Sequence, residues 1–357
     1  MPLKQALKKT LQRMPRVWCA YWRIKQELLR LWAMRAFAYD ALGTYRAMFW
    51  VPESTDRHTL AASLLFQYHK LEKGLSMPGP RRLFGVDPAG ETMRLLRRWE
   101  RAGHSKANPV YLGALETLRG YALHLETYAL DGEKRIAADV TGFLVRHQIR
   151  DPKLSTPVGL AQIDAPDSAR AAFRSLVAAR RSVRDFSPER VPHDLVHSAV
   201  QLAQQSPSAC NRQPCSVHVV TDADLKASLL AYQNGNRGFG DRIPTLLIIT
   251  ADERCFFDAS ERHQPYIDGG LFAMTLCYAL TAEGLASCCL NWCVPPANDR
   301  VVHRLARISS SERIIMFMAV GYAQKGCVVP RSPRRAVDEV LQPVPSGGAA
   351  PAAAATA

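Results

Sequence analysis

The sequence predicts an α+β domain in the C-terminal half, preceded by a mainly α-helical N-terminal region. Three observations carry that prediction. From about residue 56 to 150 apolar residues recur at helical spacing, as in Leu60, Leu64, Leu65, Tyr68 and Leu71. Beyond residue 170, short β-rich runs alternate with longer helical ones. Between them DPKLSTPVGLAQIDAPDS (151–168) is rich in Pro, Ser and Asp and keeps no period, which marks a domain boundary. The organisation expected is a basic Trp-rich segment (1–50), a helical domain with its linker (51–165), an α+β domain (166–341) and a low-complexity tail (342–357).

The first 50 residues hold ten Lys or Arg against two acids, Glu27 and Asp40, so +8 of the chain's formal +14 is local. Trp18, Trp22, Trp32 and Trp50 lie among these cations. Two readings stay open: a helix lying on an anionic membrane surface, or one docked on this protein or on a second subunit with its basic face solvated. Tryptophan and leucine between the charges suit burial in lipid or protein better than a track along nucleic acid, so no nucleic-acid partner is expected. Within the helical region, Asn108-Pro109 reads as an N-cap followed by proline at the first helical position, and Asp131-Gly132 as the close of that helix.

In the second half a helix is expected over 169–181, with Ala172, Phe173, Leu176 and Val177 on one side, and a second over 194–205. Strands are expected at 216–221, 245–250, 287–292 and 313–322. A long apolar helix, DGGLFAMTLCYALTAEG, lies between the second and third strands. The tail SGGAAPAAAATA reads as disordered.

The chain has nine cysteines, no CxxC pair and no apolar run long enough for a signal sequence or a membrane span. Free thiols and a cytoplasmic location follow as expectations. No metal site is expected, because Cys288, Cys289 and Cys293 lack a neighbouring histidine and adjacent strand residues face opposite ways. His193, His197, His218 and His263 have no nucleophile at a recognisable spacing, so a hydrolase triad is unsupported.

Two arginine clusters remain. Arg180, Arg181 and Arg184 surround Ser182 at a helix end; Arg313, Arg331, Arg334 and Arg335 lie towards the C-terminus. Forked guanidinium groups with a hydroxyl suit a phosphate dianion. Together with the polar turn SPSACNRQP (206–214) and the loop NGNRGFGDRIP (234–244), they suggest a phosphorylated cofactor. The loop is no Rossmann fingerprint, since its glycines are not spaced GxGxxG and it precedes a strand.

Read in order, RRSVRDFSPERVP, SPSACNRQP, GNRGFGDRIPTLLIIT, IDGGLFAMTLCYALTAEGLASCCLNW, AVGYA and SPRRAVDEVL resemble the FMN-dependent nitroreductase family over about 170–341. HKLEKGL (69–75) and PRRLFG (80–85) look like the N-terminal extension of a subset found with bacterial surface-polysaccharide genes. The resemblance implies a mixed β-sheet of four or five strands flanked by helices, in a homodimer with FMN at the subunit interface. It implies that Arg180, Arg181, Ser182 and Arg184 hold the ribityl phosphate, with Arg334 closing that pocket and Arg331 or Arg335 the alternatives. Asn236 matches a hydrogen-bonding partner of the flavin ring, and Cys289, Leu290, Asn291 and Trp292 a strand end whose backbone faces it. Pro207, Ser208, Ala209 and Asn211 match a loop that covers the partner's flavin. Two departures stand out: Cys215, where the family usually has Trp, and Asn291, where some members carry Glu.

The activity implied is ping-pong transfer of hydride through flavin N5, from NAD(P)H to a small-molecule electron acceptor, with no obligatory catalytic side chain. A role in surface-polysaccharide biosynthesis and a location at the inner face of the membrane go with it. The rival is a non-catalytic protein that binds membrane or a partner through residues 1–50 and uses the flavin fold as a dimer scaffold.

Overall fold

A computed structural model describes residues 14–48, 54–77, 84–128, 134–147, 166–332 and 334–344. The first 13 residues of the basic segment, Trp50, most of PRRLFG, the Asp131-Gly132 helix end, the expected linker at 151–165 and the last residues of the tail lie outside them.

Among the described residues of the N-terminal half there are five helices: α1 (Pro15–Ala47), α2 (Arg57–Ser76), α3 (Val86–Arg101), α4 (Pro109–Tyr128) and α5 (Lys134–Val145). α2 begins where the Asp56 carboxylate accepts the Thr59 N–H at 3.2 Å, which satisfies one of the donors a helix start leaves open. α4 begins at Pro109, with Asn108 Oδ1 accepting the Val110 N–H at 2.9 Å. Leu60, Leu64, Leu71, Leu96, Trp99, Leu118, Tyr121 and Phe143 close into one core. Each buried side chain of this size contributes about 1.5–3 kcal/mol relative to exposure.

The C-terminal half contains α6 (Asp167–Ala179), α7 (His193–Ala203), β1 (Cys215–Val220), α8 (Ala223–Leu230), β2 (Thr245–Asp252), α9 (Gln264–Ala282), β3 (Ala286–Asn291), α10 (Pro296–Leu305), β4 (Glu312–Gly321) and α11 (Val337–Val340). The strands lie in the order β1-β2-β4-β3 and pair antiparallel. The sheet of the described residues is therefore antiparallel and not mixed as expected; the one parallel pairing there is an isolated bridge between Ser182 and Ser287, outside the strand ladders.

β2 is buried along its whole length because both faces are covered. Leu246 and Ile248 pack with α8 and α10, whereas Leu247 and Ile249 pack with α7 and α9, the period-two division of a strand. α9 approaches β4 closely: a Cβ on Gly269 would lie 2.5 Å from Ile315, so only glycine fits there.

The two halves meet at the β2 end of the sheet. Phe66 of α2 packs on Phe257 with ring centroids 4.3 Å apart, and Arg254 pairs with Asp56 at 2.9 Å. The last turns of α1 dock on the same side through Tyr39 to Asp299 at 2.7 Å and Asp40 to Arg313 at 3.0 Å. Earlier in α1, Ile24, Leu28, Leu31 and Trp32 are exposed.

The apolar residues expected on one side of α6 are largely exposed: Phe173 is 57% exposed and Val177 39%, with Phe173 meeting the ring of Tyr278. α6 packs against the flank of α9. Arg313 is no phosphate ligand, because Asp40 and Glu253 already hold its guanidinium, each at 3.0 Å.

Candidate functional site

β3 is the sheet edge beside which the Arg180–Arg184 segment, the Asn236 loop and Cys289–Asn291 lie. The segment Arg180–Arg184 leaves α6 and runs along the first half of β3, held by the Ser182–Ser287 bridge and by the Val183 N–H bonded to the Ser287 carbonyl at 3.1 Å. Val183 is the anchor, buried among Phe186, Cys288 and Leu290. Arg181 and Arg184 are exposed while Arg180 and Ser182 are half-buried. Arg181 Nη1 bonds to the Arg180 carbonyl at 2.8 Å.

The charge of Arg180 reaches two thiols, Cys289 of β3 and Cys277 of α9, whose sulfurs are 3.4 Å apart. Cys277 is held below its ordinary value, first by the hydrogen bond with Cys289 and then by Ser287 and Arg180, against the effect of burial. Cys289 is pushed up by the same hydrogen bond, and next by burial. The charge of Arg184 acts on Cys288 instead, whose thiol burial raises.

The 231–243 loop closes the far end of β3. Gln233, 4% exposed, donates Nε2 to the Asn291 carbonyl at 2.9 Å and accepts the Gly235 N–H at 2.6 Å. Asn236 donates Nδ2 to the carbonyls of Leu230 and Gln233 at 2.8 and 2.5 Å. An amide nitrogen carries two protons, and both are used here, so Asn236 offers a ligand its Oδ1 as an acceptor. Leu290 is buried, and Cys289 and Asn291 are exposed at the edge. The sequence pointed to Asn236 but missed Gln233; nothing in its spacing distinguishes a buried loop glutamine from a solvated one.

The 206–214 turn lies elsewhere. It leads into β1, the opposite edge of the sheet, with β2 and β4 between it and β3. Three strand spacings separate the edges, roughly 14 Å, so Pro207, Ser208, Ala209 and Asn211 are not gathered with Arg180 and Asn291 within this chain. Cys210, Asn211 and Gln213 have φ of 50°, 54° and 50°, a left-handed conformation that costs non-glycine residues of order 1 kcal/mol each.

Three contacts hold the turn in that shape. The Ala209 N–H bonds to Asp268 at 3.1 Å, Gln213 N–H bonds to Ser208 Oγ at 3.0 Å, and Arg212 Nε bonds to the Ala209 carbonyl at 2.9 Å. Arg212, its side chain fully buried, also pairs through both terminal nitrogens with Glu261 at 3.0 and 2.5 Å. It lies over the rings of Phe66, Phe256 and Phe257. A cavity of about 90 Å³ beside the turn is lined by Ser208, Cys215, Asp268 and Phe272, among others. Burial pushes the Cys215 thiol up to about 12, and raises Asp268 against the hydrogen bonds that Gln264 and Ala209 give it. Sequence reasoning passed over Arg212 and Asp268; an Arg inside the turn was a signal, but its acidic partner is 49 residues away.

Arg334 is also separate. After β4 the chain pairs briefly with 185–187, through Phe186 with Ala323 and the Ser187 N–H with Tyr322, and then runs out exposed. Arg334 Nη1 bonds to its neighbour Ser332 at 2.7 Å, and among the described residues no contact joins it to Arg180 or Arg184. Arg331 and Arg335 are likewise exposed on that segment. Among the described residues no three His, Cys, Asp or Glu side chains come together as a metal site, and no helix is long and apolar enough to cross a membrane.

Comparison with known proteins bears on the same half. The model of the nitroreductase family matches residues 177–233 and 227–322. Nitroreductase NfnB of Mycolicibacterium smegmatis is 27% identical over 226 residues, covering 49% of this chain and 94% of that protein. Iodotyrosine deiodinase 1 of Sus scrofa is 25% identical over 199 residues, 47% of this chain and 67% of that one. 4-nitrobenzoate reductase of Pseudomonas putida is 24% identical over 208 residues, 44% of this chain and 88% of that one. Among solved structures, a nitroreductase with bound FMN from Bacteroides fragilis is 18% identical, with a TM-score of 0.39, and covers 48% of this chain and 98% of its own.

Proposed function

We propose, from the premise that the C-terminal half is a nitroreductase-family domain, that the protein is an FMN-dependent NAD(P)H oxidoreductase. The observation that carries the reading is the convergence on β3: the Ser182–Ser287 bridge brings the arginine segment to one end of the strand, and Gln233 ties the Asn236 loop to the Asn291 carbonyl at the other.

The residues present fit the cofactor. Exposed guanidinium groups of Arg181 and Arg184, half-buried Arg180 and the Ser182 hydroxyl form the donor set a phosphate dianion requires. Asn236 Oδ1 supplies an acceptor for a ring N–H. FMN when bound would supply the hydride chemistry of a ping-pong cycle, taking hydride from NAD(P)H and passing it to a small-molecule acceptor. The chain's task is to bind and orient. Arg180, Arg181, Ser182 and Arg184 hold the phosphate, the β3 end at Cys289, Leu290 and Asn291 sets the floor under the ring, and a cationic rim favours negative charge there.

The 206–214 turn acts in trans in this reading. A turn on the far sheet edge is of no use to its own chain's β3, whereas a two-fold partner could bring it over. Ile267, Leu271 and Met274 form an exposed apolar stripe on α9, and Phe173 and Val177 extend it on α6, which supports a homodimer. The extended segment carrying Arg334 would reach the partner in the same way. Resemblance at HKLEKGL, which lies within α2, supports a role in surface-polysaccharide biosynthesis; the exposed apolar residues of α1 support contact with the cytoplasmic face of a membrane.

The test is the absorbance spectrum of the purified full-length protein. A yellow protein bleached by NADH or NADPH without oxygen is the expected result. A colourless preparation that FMN cannot reconstitute would overturn the proposal, and bound FMN that neither nicotinamide reduces would favour the scaffold reading.

A further inference from the structure

A second basic site lies apart from β3. The last turns of α1, α10 and the turn into β4 border an open cavity of about 1250 Å³, and the exposed Arg46, Arg300, Arg304 and Arg307 line it with Ser309 and Ser311. Arg300 and Arg304 are one helical turn apart on α10 and therefore share a face; Arg307 follows just beyond its end.

The neighbouring charges are already matched. Of the acids lining the cavity, Asp299 accepts from Tyr39 and from Trp292 Nε1, each at 2.7 Å, and lies 3.6 Å from His303. Glu312 accepts from His218 at 2.8 Å and from Thr250. Arg254 is paired with Asp56 and Asp252, and Arg313 with Asp40 and Glu253. Arg46, Arg300, Arg304 and Arg307 form no ion pair among the described residues, although Arg300 rests on the ring of Tyr39 at 5.3 Å. Arginine at a helix C-terminus is ordinarily accounted for by the helix dipole. That account covers Arg304 in the last turn of α10 and Arg46 in the last turn of α1, but not Arg300, one turn earlier on α10.

We propose that this cavity binds the phosphate or diphosphate group of a larger ligand. Guanidinium forks match phosphate oxygens two at a time, and four unmatched cations call for a multivalent anion. The volume exceeds what an inorganic ion needs, so the phosphate is one end of something bigger. A soluble phosphate ester and the headgroup of an anionic lipid share this chemistry. The site goes beyond the flavin reading and uses none of its residues.

Inorganic pyrophosphate titrated calorimetrically into the full-length protein, and flotation with phosphatidylcholine vesicles with or without phosphatidic acid, test it. Saturable pyrophosphate binding identifies a soluble ester, and retention by phosphatidic acid vesicles alone identifies a lipid. Either signal should weaken at least about tenfold in R300Q/R304Q and in R304Q/R307Q, each checked for folding by circular dichroism, and persist in R180Q. The proposal is overturned if neither probe binds, if both double variants bind as the parent does, or if R180Q removes the signal, which would assign the anion to β3.

Discussion

Gln233 and Asn291, 58 residues apart, are joined by a 2.9 Å hydrogen bond from a side-chain amide to a main-chain carbonyl. The bond fixes the 231–243 loop to the end of β3. Substitution Gln233→Leu leaves the Asn291 carbonyl and the Gly235 N–H without their partner, at a cost of about 1–3 kcal/mol. Urea unfolding should show that loss together with weaker FMN binding. An unchanged midpoint and affinity would mean the loop is held by other contacts.

Arg180 and Arg313 should separate by phenotype. R180A removes a charge-assisted phosphate contact worth about 1.5–3 kcal/mol, a ten- to hundredfold weaker FMN affinity in a fluorescence-quenching titration, with little change in stability. R313A strips Asp40 and Glu253 of their shared cation, so it should lower the melting temperature instead. Equal flavin losses in both would contradict the assignment.

A mixed dimer tests the contribution across the two-fold. In the proposed homodimer, co-expression of a Ser208→Trp chain with an R180A/R184A chain would give mixed dimers in which one site has intact arginines facing an intact turn. Flavin retention approaching one site per mixed dimer is expected, with little in either homodimer. No recovery would return the turn to its own chain or remove it from the site.

Arg212 is the support for the strained turn. R212L leaves Glu261 without its bidentate partner, and breaking such a buried pair costs about 3 kcal/mol or more. Chemical denaturation measures that loss, and greater protease cleavage near Cys210 should accompany it; a cost under about 1 kcal/mol would count against the role.

Glu312 links stability to acid. Burial alone would raise its carboxyl, but bonds from His218 and Thr250, the His218 charge and the Ser309 main chain together hold it below the ordinary 4.5. A carboxyl lowered in the folded state stabilises above its unfolded value, and that contribution disappears as pH falls through the folded one. Melting curves of wild type and E312Q should therefore differ most at neutral pH and converge below about pH 4.5. A constant difference across that range would show that the carboxylate's charge is not what matters.

The sequence by itself determined the elements. All four strands and the apolar helix α9 fall within a few residues of where alternation and helical spacing put them, because those periods follow from backbone geometry alone. Arg180, Ser182 and Arg184 stood out in the sequence as a candidate phosphate-binding segment, through residue chemistry together with the family resemblance. Tertiary structure decided what these residues meet. It buried Arg212 against Glu261, engaged Arg313 with Asp40 and Glu253, turned Phe173 outward, and set the 206–214 turn on the sheet edge away from β3. Those outcomes depend on strand order and on partners many residues distant, which no local pattern encodes.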